Sequence, residues 1–476
     1  MANVLTAKKE ENIAEWYQQV CLKAELAEYA TVKGCMVLRP NGYAIWDSIQ
    51  KYFDENINKA TGVRNAYFPL FIPESFFNRE KEHAKGLKIE VAWLDKDVTG
   101  DGERLAVRPT SETIMYDSYS RWIRSYRDLP LKMNQWCNVV RWETEATKLF
   151  LRSREFLWQE GHCVYETKSE CEKETLNYIQ LYTKLCKELL ALPVLTGKKT
   201  EKEKFAGADY TMTIESFMPD GKALQCGTSH LLSQNFAKAF NIKYLGKDEK
   251  EHTPFQNSWG LSTRLIGASV MTHSDNKGLV LPPRVAENKA IIIPVFIGDS
   301  KDKVAKKAKE IAHSLKEFNV ILDDREEYNP GWKFTEWELK GIPLRIELGP
   351  KDLEKDQVVI VRRDTGVKTF VPLKDLKRKI EFELEAMHND LYQKAEKFLK
   401  SSLAEAKDWK EFVKLTANKL VKVPFCGEKD CEDDIKAKTE GVTSRVIPFD
   451  DAVKKGSKCI HCGKEAKVNV YFSRAY

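Results

Sequence analysis

Residues 141–162 read RWETEATKLFLRSREFLWQEGH, and this stretch decides the fold. Arginines, carboxylates and aromatic residues alternate in two segments, 138–143 and 155–165, which a variable loop separates. Alternation with a period of two is typical of strands, so we predict an antiparallel hairpin with one face of side chains pointing inward. Such a face offers guanidinium groups to phosphates and carboxylates, and aromatic rings to a base. The spacing alone would equally suit a surface hairpin held by ion pairs.

The same stretch resembles motif 2 of the prolyl-tRNA synthetases of the archaeal and eukaryotic type, which are class II aminoacyl-tRNA synthetases. The resemblance rests on Arg-x-Glu at 141–143, a loop, and Arg-Glu-Phe-Leu-Trp-Gln-Glu-Gly-His at 154–162. Four more blocks are similar to the family in the same order: the motif 1 region at 42–73, the amino-acid-binding loop at 108–113, a later active-site strand at 225–230 and motif 3 at 257–264. The resemblance therefore covers nearly the whole chain.

Periodicity predicts the elements around these blocks. Apolar residues at spacings of four predict a helix over 43–60, preceded by a turn at 39–42. The segment 66–73 contains two prolines and therefore fits an edge strand. A capping box at 169–172 predicts the start of a second helix, which Pro193 ends.

The pattern changes at residue 290. A buried-strand run at 291–297 is followed by a helix over 304–318, and three further strands are predicted at 319–322, 344–348 and 358–362. This alternation predicts a compact α/β domain that ends near Leu373. A helical stretch rich in lysine and glutamate, 374–422, then leads to a tail with paired cysteines.

Three domains follow from the resemblance and from this change of pattern. Residues 1–285 are expected to form an α+β class II catalytic domain, an antiparallel sheet flanked by helices that contains motifs 1, 2 and 3. Residues 286–385 are expected to form an α/β anticodon-binding domain, and residues 386–476 an α+β C-terminal zinc-binding domain. Motif 1 builds the dimer interface in class II synthetases, so a homodimer is expected.

The resemblance implies that the chain activates L-proline with ATP to an adenylate and transfers it to tRNA(Pro). Arg141 and Arg264 are the expected catalytic residues, because both would stabilise negative charge as the pentacovalent phosphorus forms. The substrate carboxylate itself attacks, so no enzyme nucleophile is required. The residues expected to bind ATP are Arg141, Glu143, Arg152, Ser153, Phe156, Gln225, Thr228 and Arg264. Those expected to bind proline are Thr110, Glu112, Arg141, Trp158, Glu160, His162, His230 and Ser262.

ATP is expected to bind with Mg²⁺, because the cation offsets phosphate charge and fixes its geometry. Glu143 and Glu215 are both candidates to help hold the ion, and the sequence does not choose between them. The resemblance also implies that the C-terminal residue, Tyr476, lies near the catalytic domain.

Four cysteines in the tail form two pairs with metal-ligand spacing. Cys426 and Cys431 are separated by four residues, and Cys459 and Cys462 by two. Such pairs suit a closed, tetrahedral structural Zn²⁺ site, and the family's C-terminal domain often carries zinc at such cysteines. His461 is the weaker competing ligand because it lies between the members of a pair.

The region 324–351 resembles the anticodon-recognition region of the family. Its candidate contacts offer stacking and base-edge groups suited to unpaired bases, and they are Phe334, Glu338, Arg345, Glu347 and Lys351. Alternatively, half of these side chains are solvated helix residues.

Composition excludes some classes of protein without choosing the function. Hydrophobic residues make up 42% and charged residues 31% of the 476 residues, with a net charge of +6. The sequence contains no apolar run long enough to cross a bilayer and no secretory h-region, so a cytoplasmic location is expected. The eleven cysteines are therefore expected to be thiols or metal ligands.

Two alternative functions remain at this stage. A class II synthetase for threonine or serine would share the arginines but require different pocket residues. A synthetase-derived RNA-binding protein without catalysis usually loses its phosphate-binding arginines, whereas Arg141, Arg152, Arg154 and Arg264 are all present. Only about sixty residues separate the motif 2 segment from Gln225, which leaves no room for the editing domain inserted in bacterial-type prolyl enzymes.

Overall fold

The computed structural model describes residues 4–77, 91–94, 102–142 and 147–476. Its strands, in chain order, are β1 (Ala27–Tyr29), β2 (Met36–Leu38), β3 (Arg64–Asn65), β4 (Phe71–Pro73), β5 (Leu105–Val107), β6 (Leu131–Val140), β7 (Glu155–Tyr165), β8 (Leu195–Lys198), β9 (Tyr210–Phe217), β10 (Ala223–Ser233), β11 (Tyr244–Leu245), β12 (Glu251–His252), β13 (Phe255–Ser262), β14 (Ala290–Pro294), β15 (Ile321–Leu322), β16 (Leu344–Leu348), β17 (Gln357–Arg362), β18 (Lys368–Pro372), β19 (Leu403–Glu405), β20 (Leu420–Phe425), β21 (Thr443–Pro448) and β22 (Val468–Ser473).

The principal helices lie between these strands. They are α1 (Ile13–Lys23), α2 (Pro40–Phe53), α3 (Glu112–Trp122), α4 (Lys168–Glu188), α5 (Asn235–Ala239), α6 (Arg264–His273), α7 (Lys301–Ser314), α8 (Pro330–Lys340), α9 (Pro350–Glu354), α10 (Leu376–Ser402), α11 (Trp409–Thr416) and α12 (Lys429–Lys438). None of the helices in the described part of the chain is both long and apolar enough to cross a membrane.

The largest sheet has eleven strands in the order β19-β20-β22-β21-β8-β9-β10-β13-β7-β6-β3. Adjacent strands of this sheet are antiparallel except at its two ends. There β19 is parallel to β20, and β3 is parallel to β6. The pairing of β8 with β21 joins Lys198 to Ile447, so strands from the end of the chain extend the sheet that carries motifs 2 and 3. No local pattern in the sequence indicates this continuity of the sheet.

The predicted hairpin is confirmed, and β7 has the predicted bounds, whereas β6 begins at Leu131 and ends at Val140 and does not cover the predicted 138–143. In the register of β6 and β7, Val140 pairs with Glu155 and Leu131 with Val164. On the following strand, the Trp259 ring lies against Gly161, where a Cβ atom would come within 2.1 Å of the indole. A glycine at position 161 therefore allows the close approach of the indole, which packs the sheet against the helical layer.

Three local predictions around the hairpin are wrong. The segment 39–42 does not form a turn, because Arg39 is the N-cap of α2 and Pro40 takes its first position, where a missing N–H is harmless. The segment 66–73 is not one strand, since only its end pairs, as β4 with β5. The predicted capping box is shifted, because the Thr167 hydroxyl accepts from the Glu170 amide at 3.2 Å.

A second sheet has five strands in the order β15-β14-β16-β17-β18. Its strands and the α7 helix confirm the predicted α/β unit, with Ile292, Ile346 and Ile360 in the core. The helix predicted over 374–422 is only partly present, because α10 ends at Ser402. Alternating burial from Leu420 to Phe425 instead places β20 against β22.

Candidate active site

A cavity of about 230 Å³ opens on the face of the large sheet formed by β7, β13 and β10. Alternate residues of β7 point into it, because side chains at i and i+2 share a face of a strand. Cross-strand pairing aligns His162 with Ser258 and Ser258 with His230. In the next row Gly260 lies between Glu160 and Thr228, and its missing side chain leaves room there for a ligand.

Twelve of the sequence-predicted residues line this one cavity. They are Thr110, Glu112, Arg141, Phe156, Trp158, Glu160, His162, Gln225, Thr228, His230, Ser262 and Arg264. Of the other ATP candidates, Glu143 lies outside the described residues. The motifs that are far apart in sequence therefore meet at one place.

One end of the cavity carries two guanidinium groups. The Arg141 guanidinium carbon lies 5.6 Å from the ring centres of Phe156 and Trp158. Arg264 begins α6, donates from Nε to the Leu151 carbonyl at 3.1 Å and from a terminal nitrogen to the Gln225 carbonyl at 3.3 Å. Burial, and then the repulsion from Arg141, lowers the pKa of Arg264. Two cations held close together in this way favour the binding of an anion such as a phosphate.

Arg152 and Ser153 lie beside this end, in an adjoining cavity of about 150 Å³. Arg141, Phe156 and Arg264 line both cavities, so the two spaces are continuous. The adjoining cavity is closed on another side by the C-terminal residue, Tyr476, whose hydroxyl donates to Asp220.

The opposite end of the cavity is acidic and buried. Glu160 accepts from the Ser111 hydroxyl and amide, from the Gln135 amide at 3.1 Å, and contacts His162 Nε2 at 3.1 Å. Burial opposes ionisation of Glu160, but the hydrogen bond and charge of His162, with the other donors, lower its pKa below the usual value. The carboxylate of Glu160 is therefore occupied by protein groups.

Glu112 is the second buried carboxylate at this end. It is the first residue of α3, and the Thr110 hydroxyl donates to it. Burial raises its pKa, because the charged form loses solvation, while His162 opposes the shift. A cationic nitrogen of a ligand would stabilise the charged carboxylate, which burial deprives of solvation. Glu112 therefore suits the recognition of an ammonium group.

Several cavity residues were missed by the sequence-based prediction. The most informative are Glu203, Phe205 and Thr211, which line the acidic end. The Thr211 hydroxyl accepts from the Phe205 amide at 2.9 Å and contacts His230 Nδ1 at 2.8 Å. Glu203 and Phe205 lie in the connection between β8 and β9, which has no periodic pattern, so only its polar and aromatic composition could have marked it.

His230 is expected to reduce stability at acidic pH. Burial, and then the nearby His162, lowers the pKa of His230 to about 3 from an ordinary 6.5. Between these two values the unfolded chain binds a proton that the folded chain does not, so the free energy of unfolding falls as pH falls. The contribution of neutral His230 to the free energy of unfolding is complete above pH 6.5. Roughly 2 kcal/mol of this free energy is lost between about pH 7 and about pH 5.

Thermal unfolding of a His230→Asn variant tests this dependence. The variant keeps a polar group near Thr211 but cannot take up the proton, so its Tm should fall less than that of the wild type between pH 7 and pH 5. Other titrating groups are common to both proteins. Equal losses of Tm would contradict a neutral, buried His230.

Glu215 is not available to hold Mg²⁺. It is fully buried, Lys199 Nζ lies 2.6 Å from one of its oxygens, and an Arg445 terminal nitrogen lies 2.8 Å from the other. Burial opposes ionisation, but Arg445 and Lys199 lower the pKa of Glu215, so the carboxylate is charged and already paired. This candidate from the sequence is therefore wrong.

The four predicted cysteines come together at the end of the chain. Their sulfur atoms all lie within 4.8 Å of one another, with Cys431–Cys459 at 3.8 Å and Cys426–Cys462 at 3.7 Å. A tetrahedron with Zn–S bonds of ~2.3 Å has edges of about 3.8 Å, so the sulfur atoms fit Zn²⁺. His461 Nδ1 lies 3.4 Å from one sulfur atom, while its Nε2 faces Lys438 at 3.1 Å, so the thiols form the better set.

Four of the five anticodon candidates also lie together. Arg345 pairs with Glu338 at 2.9 Å and with Glu347 at 3.0 Å, and its guanidinium lies 4.2 Å from the Phe334 ring centre. Lys368, which the sequence-based prediction missed, adds a contact to Glu347 at 3.1 Å. Lys351 is exposed on α9. The cluster presents both charges and an aromatic ring, which suits the edges and faces of unpaired bases.

Comparisons with known proteins agree with this arrangement. A family model described as the tRNA synthetase class II core domain (G, H, P, S and T) matches residues 93–273. Models of an anticodon binding domain and of the prolyl-tRNA synthetase C-terminal domain match residues 289–383 and 409–476. Fold, site and domain content thus define a class II aminoacyl-tRNA synthetase.

Relatives with curated names show to which family of class II synthetases the chain belongs. A proline–tRNA ligase of Lachnoclostridium phytofermentans is 50% identical, covering 98% of this chain and 97% of the relative. One of Clostridium botulinum is 49% identical with the same coverage, and proline–tRNA ligase 2 of Bacillus cereus is 48% identical over 98% of both. The chain belongs to the prolyl-tRNA synthetase family. These relatives are bacterial, so they do not support the expected archaeal or eukaryotic type.

Proposed function

We propose that the protein activates L-proline with ATP to prolyl-adenylate and transfers the prolyl group to the 3′ end of tRNA(Pro). The observation that carries this proposal is the single cavity with paired guanidinium groups at one end and a buried carboxylate at the other. The first end suits phosphates, and the second suits a cationic nitrogen. The family to which the chain belongs supports the same reaction.

The phosphate end accounts for the first step. Arg141 bridges the proline carboxylate and the α-phosphate, and Arg264 holds the outer phosphates or the adenine face. Phe156 stacks on adenine, and Glu143 accepts a hydrogen bond from the adenine amino group. Gln225 and Thr228 contact the ribose region. Arg152 and Ser153 extend the phosphate site into the adjoining cavity. The carboxylate of proline attacks phosphorus and pyrophosphate leaves, so the protein contributes positioning and charge neutralisation. Mg²⁺ supplies further charge neutralisation as part of the ATP substrate.

The acidic end accounts for the amino acid. Glu112 and Thr110 meet the secondary ammonium of proline, and Trp158 and His162 wall the ring. Glu160 keeps His162 and Ser111 in place, and because its oxygens are taken by these partners, Glu112 rather than Glu160 faces the ligand. His230 and Ser262 complete the lining. Because His230 is neutral, it adds no further positive charge beside the ammonium group of proline.

The proposal extends to the domains and partners. Residues 1–285 form the catalytic domain, 286–385 the anticodon-binding domain with Phe334, Glu338, Arg345, Glu347 and Lys351, and 386–476 the C-terminal domain with Zn²⁺ at its four cysteines. The second of these boundaries falls within the single helix α10. A homodimer through the motif 1 region and a cytoplasmic location belong to the same proposal.

We also propose that the chain has the architecture of the archaeal and eukaryotic type, whatever its lineage. The support is the region between β7 and β10, which contains only α4, β8 and β9 with their connections. The chain is expected not to deacylate Ala-tRNA(Pro) in a domain of its own. Incubation of purified protein with labelled Ala-tRNA(Pro) should leave the ester at the rate of spontaneous hydrolysis, and rapid enzyme-dependent release of alanine would contradict this.

Charging of a tRNA(Pro) transcript with labelled proline tests the proposed function as a whole. The protein should give acid-precipitable prolyl-tRNA that depends on ATP and Mg²⁺. A matched tRNA transcript for serine should remain uncharged with either amino acid. Charging of the serine transcript, or none of the proline transcript, would reject the proposal.

A further inference from the structure

The segment 199–211 joins the acidic end of the cavity to the C-terminal part of the chain. It runs from the end of β8 to the start of β9. Glu203, Phe205 and Thr211 within it line the cavity, and the Phe205 ring centre lies 4.7 Å from that of His230. The placement of this segment therefore decides the shape of the pocket around the amino acid.

Ser444 of β21 holds the start of this segment. Its hydroxyl lies 3.0 Å from the Thr200 hydroxyl and donates to the Glu432 carboxylate at 2.5 Å. Ser444 and Thr200 are 1% and 4% exposed, so water does not compete for this contact. A second link forms nearby, where Lys202 pairs with Asp433 of α12.

Arg445 holds the base of the same segment through Glu215. Its guanidinium donates to both Glu215 oxygens at 2.8 and 3.0 Å, and Lys199 donates to the same carboxylate at 2.6 Å. The side chains of Lys199 and Glu215 are 3% and 0% exposed. Paired hydrogen bonds from a planar guanidinium fix direction as well as distance, which a point charge does not do.

Glu215 also lies beside the nucleotide end of the cavity, so an effect of Arg445 on ATP binding must be distinguished from its effect on proline binding. It pairs directly with Gln225 across β9 and β10. Thr200 and Lys202, by contrast, lie in the connection that includes Glu203 and Phe205. A loosened connection therefore changes the amino-acid end first, and Ser444 acts on that end alone.

We propose that Ser444 and Arg445 are positioning residues for proline binding, which hold segment 199–211 against the pocket although they contact neither substrate. The inference rests on the proposed function and assigns a role in catalysis to the C-terminal part of the chain. Arg445 and Ser444 lie on β21, the strand that pairs with β8. The extended sheet is thus the physical connection between the two parts.

Steady-state ATP–pyrophosphate exchange on the full chain tests this inference. Ser444→Ala is expected to raise the KM for proline about threefold and Arg445→Ala about tenfold or more, with kcat changed less. The KM for ATP should stay within about twofold in Ser444→Ala. Arg445→Lys keeps a cation near Glu215 without the paired geometry and should recover part of the loss. The control is Lys422→Ala, which removes ion pairs to Glu405 and Asp451 away from the segment.

Limited trypsin digestion gives a readout independent of activity. Cleavage after Lys202 and Lys204 should be about fivefold faster or more in Arg445→Ala than in wild type at a temperature below both Tm values, because opening of the segment governs its proteolysis. Ser444→Ala removes one oxygen atom and keeps the test informative even where Arg445→Ala fails to fold.

The inference is overturned where both variants keep the wild-type KM for proline and the wild-type cleavage rate. It is equally overturned where Lys422→Ala causes the same changes, or where Ser444→Ala raises the KM for proline and ATP to the same extent. A wild-type protein without proline-dependent exchange would instead reject the proposed function, and the inference with it. An active wild type with unaffected variants rejects the inference alone.

Discussion

Replacing Arg141 by alanine is expected to lower the kcat of proline-dependent ATP–pyrophosphate exchange by about a thousandfold or more. Its guanidinium lies at the end of the cavity that is proposed to bind the phosphates, where charge would develop as the carboxylate attacks phosphorus. The loss of one such preorganised donor costs about a hundred- to a thousandfold in other enzymes, and a full charge acts more strongly than a neutral donor. The variant should show the loss in kcat more than in the KM for proline.

Arg154→Ala is the matched control for this experiment. The sequence groups Arg154 with the phosphate-binding arginines, but its side chain stacks on Trp142, with the guanidinium 4.6 Å from the ring centre, and donates to the Lys33 carbonyl. Its loss should change exchange by less than about tenfold. Binding of tRNA(Pro) should be largely unchanged in Arg141→Ala, because the anticodon cluster lies on the second sheet. Substantial exchange by Arg141→Ala would contradict its role at phosphorus.

Loss of a thiolate from the cysteine cluster is expected to have the largest effect on stability. Cys459→Ser removes one of the four proposed ligands, whose sulfur atoms lie within 4.8 Å of one another. Structural zinc contributes directly to folding free energy, so the variant should lose its metal and several kcal/mol of stability, with a Tm lower by roughly 10 °C or more. Elemental analysis should give one zinc per wild-type chain.

Cys35→Ser provides the comparison for the cluster variant. Cys35 is a partly exposed thiol outside the four-cysteine group, so its replacement should leave metal content and Tm at wild-type values. A Cys459→Ser protein with unchanged Tm would show that the four thiols do not hold a structural ion. A wild type without bound zinc after purification in zinc-containing medium would show the same.

Strand periodicity predicts which side chains of the hairpin share a face, whereas the use of that face as a site, and the residues that the other motifs add to it, follow from the resemblance to the synthetase family. Phe156, Trp158, Glu160 and His162 alternate along β7, and alternation fixes which side chains share a face. The cysteine cluster could be predicted for a different reason, since ligand spacing constrains which residues can reach one ion. Both patterns are local, and local patterns survive in a single sequence.

Features that depend on distant pairing could not be predicted in this way. Glu215 resembled a free carboxylate in sequence, because its partner Arg445 lies 230 residues further along the chain. The continuity of β8 with β21 is hidden for the same reason. Glu203 and Phe205 lie in a connection without periodicity, so no local pattern indicates their approach to the cavity.

The predicted boundaries of helices and strands are wrong where two local rules compete. Pro40 was interpreted as part of a turn, yet a proline also suits the first position of a helix, and tertiary packing decides between them. Trp46 and Phe53 of α2 pack against Trp136 with ring centres 5.4 and 5.3 Å apart, which stabilises the helix that begins at Pro40. Similarly, Val421 fits the end of the predicted helical stretch 374–422, but it pairs with Phe472 of β22 and so belongs to the sheet.

The most direct test of the account is ATP–pyrophosphate exchange by the wild-type protein with proline, threonine and serine, each supplied alone. Glu112 and the aromatic wall should accept the compact secondary ammonium of proline, so exchange should be at least about a hundredfold more efficient with proline than with the other two. Exchange driven by threonine or serine instead would contradict the substrate assignment. A protein inert with all three would contradict catalysis itself and favour an RNA-binding relative of the synthetases.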